Sequence, residues 1–203
     1  KDNPEFVKAK KLGIKTLSYP EMLGVVSKEK YTIAISGTHG KTTTTAMIGK
    51  MLIDSNLDPT VIVGSLIKGL SSNLIVGHGK HFVVEACEYR KSFLNINPKI
   101  IVITNIDNDH LDFYNDLADI EMAFGEFAGK LGKDDYLVCN MQDERILRAV
   151  KDVKCKIVDY SKNEIASNLI LKVIGKHNIE NAKAAMSVAE FLDLDLKKAA
   201  SSL

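Results

Sequence analysis

The sequence predicts an α/β fold, a mostly parallel β-sheet with helices on both faces. Three observations lead there. Short runs rich in β-branched residues recur along the chain, they are continuously apolar rather than alternating, and stretches with helical spacing separate several of them. A strand that is apolar at every residue is buried on both faces, which is the condition of a parallel sheet covered by helices. With 203 residues, 45% hydrophobic and 26% charged, the chain can bury a substantial core in one or two domains.

In chain order, residues 1–30 read as a helix, a short strand around Ile14 to Leu17, and a second helix begun near Pro20. They are too few for a complete domain. Buried strands are expected at 31–36 (YTIAIS), 60–64 (TVIVG), 81–86 (HFVVEA), 99–106 (KIIVITNI), 136–140 (YLVCN) and 156–161 (KIVDYS). Helical spacing marks 42–55, 117–131, 143–150 and 178–192. The connection SKNEIASNLILKVIGKHN passes from a polar stretch into a short strand.

Charge excludes some function classes. The net charge is +1 and no long block of one sign occurs, so nothing argues for a nucleic-acid surface. No apolar run approaches the ~18 residues of a membrane span, and the start KDNPEFVKAKK lacks a signal-peptide apolar region. Cys87, Cys139 and Cys155 lie within or beside apolar runs and are expected as free thiols, which suits a reducing cytoplasm.

In parallel sheets ligands bind beyond the carboxyl ends of the strands. Strand 31–36 runs into Gly37, Thr38, His39, Gly40, Lys41 and Thr42, a GxxGKT loop that opens a helix. The glycines let successive N–H groups turn toward an anion, Lys41 would neutralise outer phosphates, and the Thr42 hydroxyl could ligate Mg²⁺. The opening glycine of the longer phosphate loop is absent, its place taken by Ile35. Glu85 directly follows an apolar run and needs a cation or a set of donors, the alternative being water or Arg90. Glu88, two residues past Ala86, reads as a supporting or surface group.

Strand 99–106 carries Asn105 and leads into Asp107, Asp109, His110 and Asp112, ligand types suited to Mg²⁺ or Mn²⁺, with spacing that leaves open which of them ligates. The Asn-Lys-x-Asp base-reading motif of a GTPase is not there. In GKHNIENA, His177 and Asn178 open a helix and Asn181 shares a face with His177; these could read adenine and ribose, or Asn178 could be a cap. His78 and His81, in GHGKHF, read as solvent-facing.

Taken in order, GTHGKTTTT, EACEYRKSF, TNIDNDHLD and GKHNIENA resemble the ATP-binding central domain of the Mur ligases, whose phosphate loop has this shortened form. GTHGKTTT and EACEYR are similar to the alanine-adding branch. The resemblance implies that residues 1–28 are the end of a UDP-binding amino-terminal domain and 29–203 the central domain. It also implies that the carboxy-terminal ligase domain is absent and that 160–175 is shorter than in the family.

By that resemblance, Gly37, Thr38, His39, Gly40, Lys41, Thr42 and Thr43 would surround the ATP phosphates, with Asn105 close to the nucleotide. Thr42 and Glu85 would hold one Mg²⁺ and His110 a second, so Lys41, Glu85 and His110 would carry the chemistry. His177, Asn178 and Asn181 would form the adenosine site, and Asn73 would lie near the sugar nucleotide. The implied reaction couples UDP-N-acetylmuramate to L-alanine through an acyl phosphate. A ligase that joins a murein peptide instead, and a nucleotide-binding module without ligase activity, are the alternatives.

Overall fold

A computed structural model describes residues 2–67, 72–164, 169, 171 and 175–203. The chain opens with helices α1 (Pro4–Lys11) and α2 (Tyr19–Glu29), followed by β1 (Tyr31–Ser36), α3 (Lys41–Asp54), β2 (Thr60–Ile67), β3 (Ser72–Ile75) and β4 (His81–Glu85). A 3-10 segment (Tyr89–Asn95), β5 (Ile100–Ile103), α4 (Leu117–Ala128), β6 (Tyr136–Cys139), α5 (Glu144–Val150) and β7 (Lys156–Asp159) come next. Helices α6 (Lys176–Phe191) and α7 (Leu196–Ser202) close the fold. Within the connection 161–178, residues 165–168, 170 and 172–174 lie outside the described residues.

The described strands form one sheet in the order β3-β2-β4-β1-β5-β6-β7, parallel throughout except for β3 against β2. Side-chain alternation explains the continuous apolar runs. Ile33 and Ile35 of β1 pack on one face with Met47, Ile48 and Met51 of α3 and Ala182, Ala185 and Met186 of α6. Ala34, between them, faces Phe82, Ile101, Phe93, Phe124 and Phe127 on the other. There the Phe93 and Phe127 rings stack with centroids 4.5 Å apart.

Two expectations are corrected in the opening and edge segments. Residues 14–17 form no strand: Ile14 and Leu17 are exposed between two helices, and no strand among the described residues pairs with them. His81 is buried, 4% exposed, because it is the first residue of β4, where the strand was expected to begin, and is paired with Tyr31 rather than left in the preceding turn. His78 is exposed, as its turn implies. Strand β3, absent from the sequence reading, is a short, partly exposed edge.

Chain direction places the ligand crevice. From β1 the chain moves outward to β2 and β3, returns to β4, then crosses to β5 on the other side of β1 and continues to β6 and β7. The carboxyl ends of β4, β1 and β5 therefore lie side by side, with Ile35 opposite Glu85 and Ser36 opposite Ile103. This is a switch point, where the connections on either side diverge and leave an opening.

Candidate active site

The loop after β1 is built around two left-handed glycines. Gly37 has φ +132° and Gly40 φ +85°, conformations that other residues adopt only with strain. Gly40 is the N-cap of α3 and provides no side chain to bond the first-turn N–H groups. Those donors are directed to the opening beyond the strands, where an anion is favoured.

The end of β5 holds this loop in place. Thr38 N donates to Asn105 O at 3.1 Å and His39 N to Asn105 Oδ1 at 2.9 Å. Thr104 Oγ1 donates to His39 O at 2.6 Å, Asn105 Nδ2 donates to the same carbonyl at 3.0 Å, and Asp107 N donates to Thr38 Oγ1 at 2.8 Å. Asn105 thus has a definite part, fixing the loop at His39.

Lys41 lies across the loop. Its Nζ donates to Gly37 O at 2.5 Å, Thr38 O at 3.1 Å and Glu88 Oε1 at 2.9 Å. Glu88 is 2% exposed, so its position as a surface group is corrected: the chain alternates past β4, with Ala86 buried, Cys87 out and Glu88 in. Burial of an unpaired carboxylate costs several kcal/mol, and Lys41 is its ion-pair partner. Tyr114 donates its hydroxyl to Glu88 O at 2.5 Å; burial first, then the Glu88 charge, pushes that phenol up to about 12.

The aspartates after β5 separate by partner. Asp107 pairs with Arg145 Nη1 at 2.9 Å, and Asp112 accepts from Tyr89 Oη at 2.9 Å. Asp109 stays with His110, whose Nε2 lies 3.8 Å from Asp109 Oδ2 and 3.7 Å from Glu88 Oε1. One ligand atom from each of Glu88, Asp109 and His110 falls within 4.8 Å of the others. Glu88 Oε2 has no hydrogen-bond partner among the described residues, so this donor set fits a divalent cation.

Glu85 has a different neighbour: its Oε1 accepts from Gly64 N at 2.5 Å, within β2. Thr42 and Thr43 border a groove that also includes Val63 and Ser65 of β2, so Thr42 and Glu85 both lie beside the 63–65 stretch of that strand. Arg90 is not the partner of Glu85; its guanidinium lies 5.2 Å from the Tyr89 ring centre.

On the other side of the loop is a cavity of about 450 Å³ lined by His39, Gly40, Thr104, Asn105, Asn140, Asp143, Tyr160, His177, Glu180 and Asn181. Asn178 and Asn181 are buried, and Asn181 Nδ2 donates to Asn178 Oδ1 at 3.2 Å. The N-cap of α6 is Gly175, so Asn178 is not a cap. Asn73 lies apart, exposed near the start of β3, which as an antiparallel strand begins toward the carboxyl end of β2.

Thr104, Glu88, Asn140, Asp143 and Tyr160 were not singled out as site residues by sequence. Asn140 directly follows β6 and Tyr160 directly follows β7. The strand-end rule that picked out the residues after β1, β4 and β5 would have found them had it been carried to those strands.

Comparison with known proteins bears on the family and the fold. The Mur ligase middle domain family matches residues 35–170. The UDP-N-acetylmuramate–L-alanine ligase of Caldicellulosiruptor saccharolyticus is 42% identical over 222 aligned positions, covering 96% of this chain and 49% of that protein. Its counterpart in Clostridium acetobutylicum is 38% identical, covering 97% and 48%. The chain spans about half the length of the curated relatives it matches.

Among solved structures, UDP-N-acetylmuramate-alanine ligase from Thermotoga maritima superposes with a TM-score of 0.79 at 27% identity, over 100% of this chain and 51% of that one. A UDP-N-acetylmuramate:L-alanyl-γ-D-glutamyl-meso-diaminopimelate ligase from Neisseria meningitides has the same fold, with a TM-score of 0.85 at 21% identity over 100% and 75%. With the middle-domain match running from the strand before the phosphate loop to beyond β7, the chain belongs to the Mur ligase family.

Proposed function

We propose that this chain is the nucleotide-binding middle domain of an ATP-dependent ligase that joins L-alanine to UDP-N-acetylmuramate in the cytoplasm. The observation that carries the reading is the meeting of Lys41, the α3 amino terminus and the Glu88–Asp109–His110 cluster at one switch point, beside a cavity of nucleoside size. The names of relatives at about 40% identity supply the substrates. Three unpaired cysteines and the lack, among the described residues, of a helix long and apolar enough to cross a membrane accord with that compartment.

The roles follow from position. Gly37, Thr38, His39, Gly40 and Thr43 shape the turn around the phosphates while Lys41 and the α3 N–H groups bind them. The cavity between the loop and α6 takes the adenosine, with His177 and Asn181 on one wall and Asn140, Asp143 and Tyr160 on the other; Asn178, buried and bonded to Asn181, serves the same site by holding that amide. Thr42 and Glu85, both beside residues 63–65 of β2, serve one Mg²⁺; His110, with Glu88 and Asp109, serves a second. When bound, Mg²⁺ neutralises charge on the transferring phosphoryl group.

Phosphoryl transfer needs positioning and charge neutralisation more than a protein nucleophile. The lactyl carboxylate of UDP-N-acetylmuramate attacks the γ-phosphorus, the bond to the bridging oxygen breaks, and ADP leaves. The alanine amine then attacks the acyl carbon, loses a proton and expels phosphate. Asn73, on the same side of the sheet as the end of β2, is assigned to the sugar nucleotide. Residues 1–28 are assigned to the end of the UDP-binding domain, and 29–203 to the central domain.

Calorimetry with Mg·ATP tests the binding half: the wild-type protein is expected to bind and Lys41→Ala to lose binding. A Lys41→Ala protein that binds as tightly as wild type refutes the assignment of the loop. Phosphate release by a full-length ligase carrying this domain tests the rest. Turnover should require L-alanine, whereas dependence on a murein tripeptide would transfer the chain to the peptide-joining branch.

A further inference from the structure

We propose that Glu88 is an exchangeable carboxylate, shared between Lys41 and a divalent cation, so that cation binding releases Lys41 toward phosphate. Its consequence for phosphate rests on the nucleotide reading above; its origin lies in the geometry around Glu88 alone.

An ammonium has three donors and no acceptor. Lys41 directs its Nζ to three protein oxygens, Gly37 O at 2.5 Å, Thr38 O at 3.1 Å and Glu88 Oε1 at 2.9 Å. A lysine held this way is folded back on its own loop and has no N–H left for a phosphate. Glu88 is unbalanced in the opposite sense. Its Oε1 accepts from Lys41, but Oε2 is buried without a partner among the described residues. A buried acceptor left without a donor is costly, and a cation satisfies it.

The place for that cation is already arranged. Ligand atoms of Glu88, Asp109 and His110 lie within 4.8 Å of one another. His110 sits at φ +53°, a left-handed conformation that a non-glycine residue adopts at a cost. It is held there by its N–H bond to Asp109 Oδ1 at 2.7 Å and by the Tyr89 ring, 4.8 Å from the imidazole. The strain directs the imidazole toward Glu88. Glu85 takes no part, because its Oε1 is bonded to Gly64 N.

Electrostatics then couples the two events. With no cation, the Glu88 charge is balanced by Lys41. With a divalent cation on Glu88, the neighbouring ammonium is repelled and an anionic phosphate becomes its best partner. Cation and nucleotide therefore bind with positive coupling through the protein, beyond direct chelation. Glu88 is a positioning residue, acting on phosphate through Lys41.

The decisive measurement is Mn²⁺ binding by electron paramagnetic resonance with no nucleotide present. Lys41→Met frees Glu88 and is expected to bind Mn²⁺ about tenfold tighter than wild type, while Glu88→Gln binds it about tenfold weaker or not at all. Equal or weaker Mn²⁺ binding by Lys41→Met overturns the proposal, as does wild-type affinity in Glu88→Gln. A second arm measures ADP binding in a chelator, where Glu88→Gln is expected to bind about tenfold tighter than wild type; unchanged or weaker binding overturns the exchange. If no variant binds nucleotide with or without magnesium, the nucleotide reading fails while the Mn²⁺ comparison still decides the role of Glu88. Melting curves confirm folding, and Glu88→Asp, which keeps the charge but shortens its reach, replaces Glu88→Gln if that variant unfolds, with weaker Mn²⁺ binding expected.

Discussion

Replacing Gly40 by alanine joins the phosphate loop and the adenosine wall in a single perturbation. At φ +85° the new side chain costs about 1–2 kcal/mol for its left-handed backbone alone. The added Cβ would also overlap Asn181 Oδ1, with Asn181 Cγ at 3.2 Å and Nδ2 at 3.4 Å. Asn181 must then leave its rotamer and its bond to Asn178, adding roughly 1–2 kcal/mol. The sum is about 2–4 kcal/mol.

Gly13→Ala calibrates the first part, since Gly13 has φ +68° and its Cβ would meet nothing within 4 Å. Urea denaturation should therefore rank Gly40→Ala well above Gly13→Ala. In an Asn181→Ala background the overlap disappears and the cost of Gly40→Ala should fall to that of Gly13→Ala, a coupling of about 1–2 kcal/mol. Mg·ADP affinity should drop with Gly40→Ala, because the displaced amide lines the cavity. Equal costs for the two glycine variants, with no coupling to Asn181, would refute the idea that the loop and α6 are packed as one unit.

Two further outcomes are expected. Tyr160→Phe removes the hydroxyl that donates to Thr104 O at 2.6 Å and leaves a buried carbonyl unpaired, so it should cost about 1–2 kcal/mol in urea and weaken Mg·ADP binding; an unchanged midpoint would count against the role of Tyr160. His81 has its pKa lowered, by burial first and then by Lys80, and shares a cavity with Asp193, Asp195 and Lys198. Because the folded pKa is below the unfolded one, the unfolded chain binds more protons in acid. The His81 contribution is complete above about pH 6.5 and is lost as pH falls toward the folded pKa, with a slope of at most ~1.4 kcal/mol per pH unit. Urea midpoints measured between pH 7 and 5 should fall less in His81→Gln than in wild type.

Much of the sheet was legible because double-sided burial leaves runs such as YTIAIS and IIVI with no polar residue facing out. The same criterion misses β3, an edge strand whose SNLI has two exposed residues, and it accepts Ile14 and Leu17, which have apolar side chains but no pairing strand among the described residues. At the site, the phosphate loop and the residues after β5 were recognisable from their order beyond strand ends. The choice between Glu85 and Glu88 was not. An apolar run on the amino side drew attention to Glu85, while the burial of Glu88 depends on a backbone turn after β4, which includes Arg90 and Lys91 at positive φ. The sorting of Asp107, Asp109 and Asp112 likewise depends on Arg145 and Tyr89, distant in sequence.

The bonds from Thr104, Asn105 and Asp107 to the glycine loop bear on its portability. GTHGKT has lost the opening glycine of longer phosphate loops, and its conformation is braced by a strand more than sixty residues away. A transplant of β1, the loop and α3 onto another scaffold would carry the letters of the motif without that brace. The transferable unit is a pair of neighbouring parallel strands, β1 and β5, together with the residues that follow each.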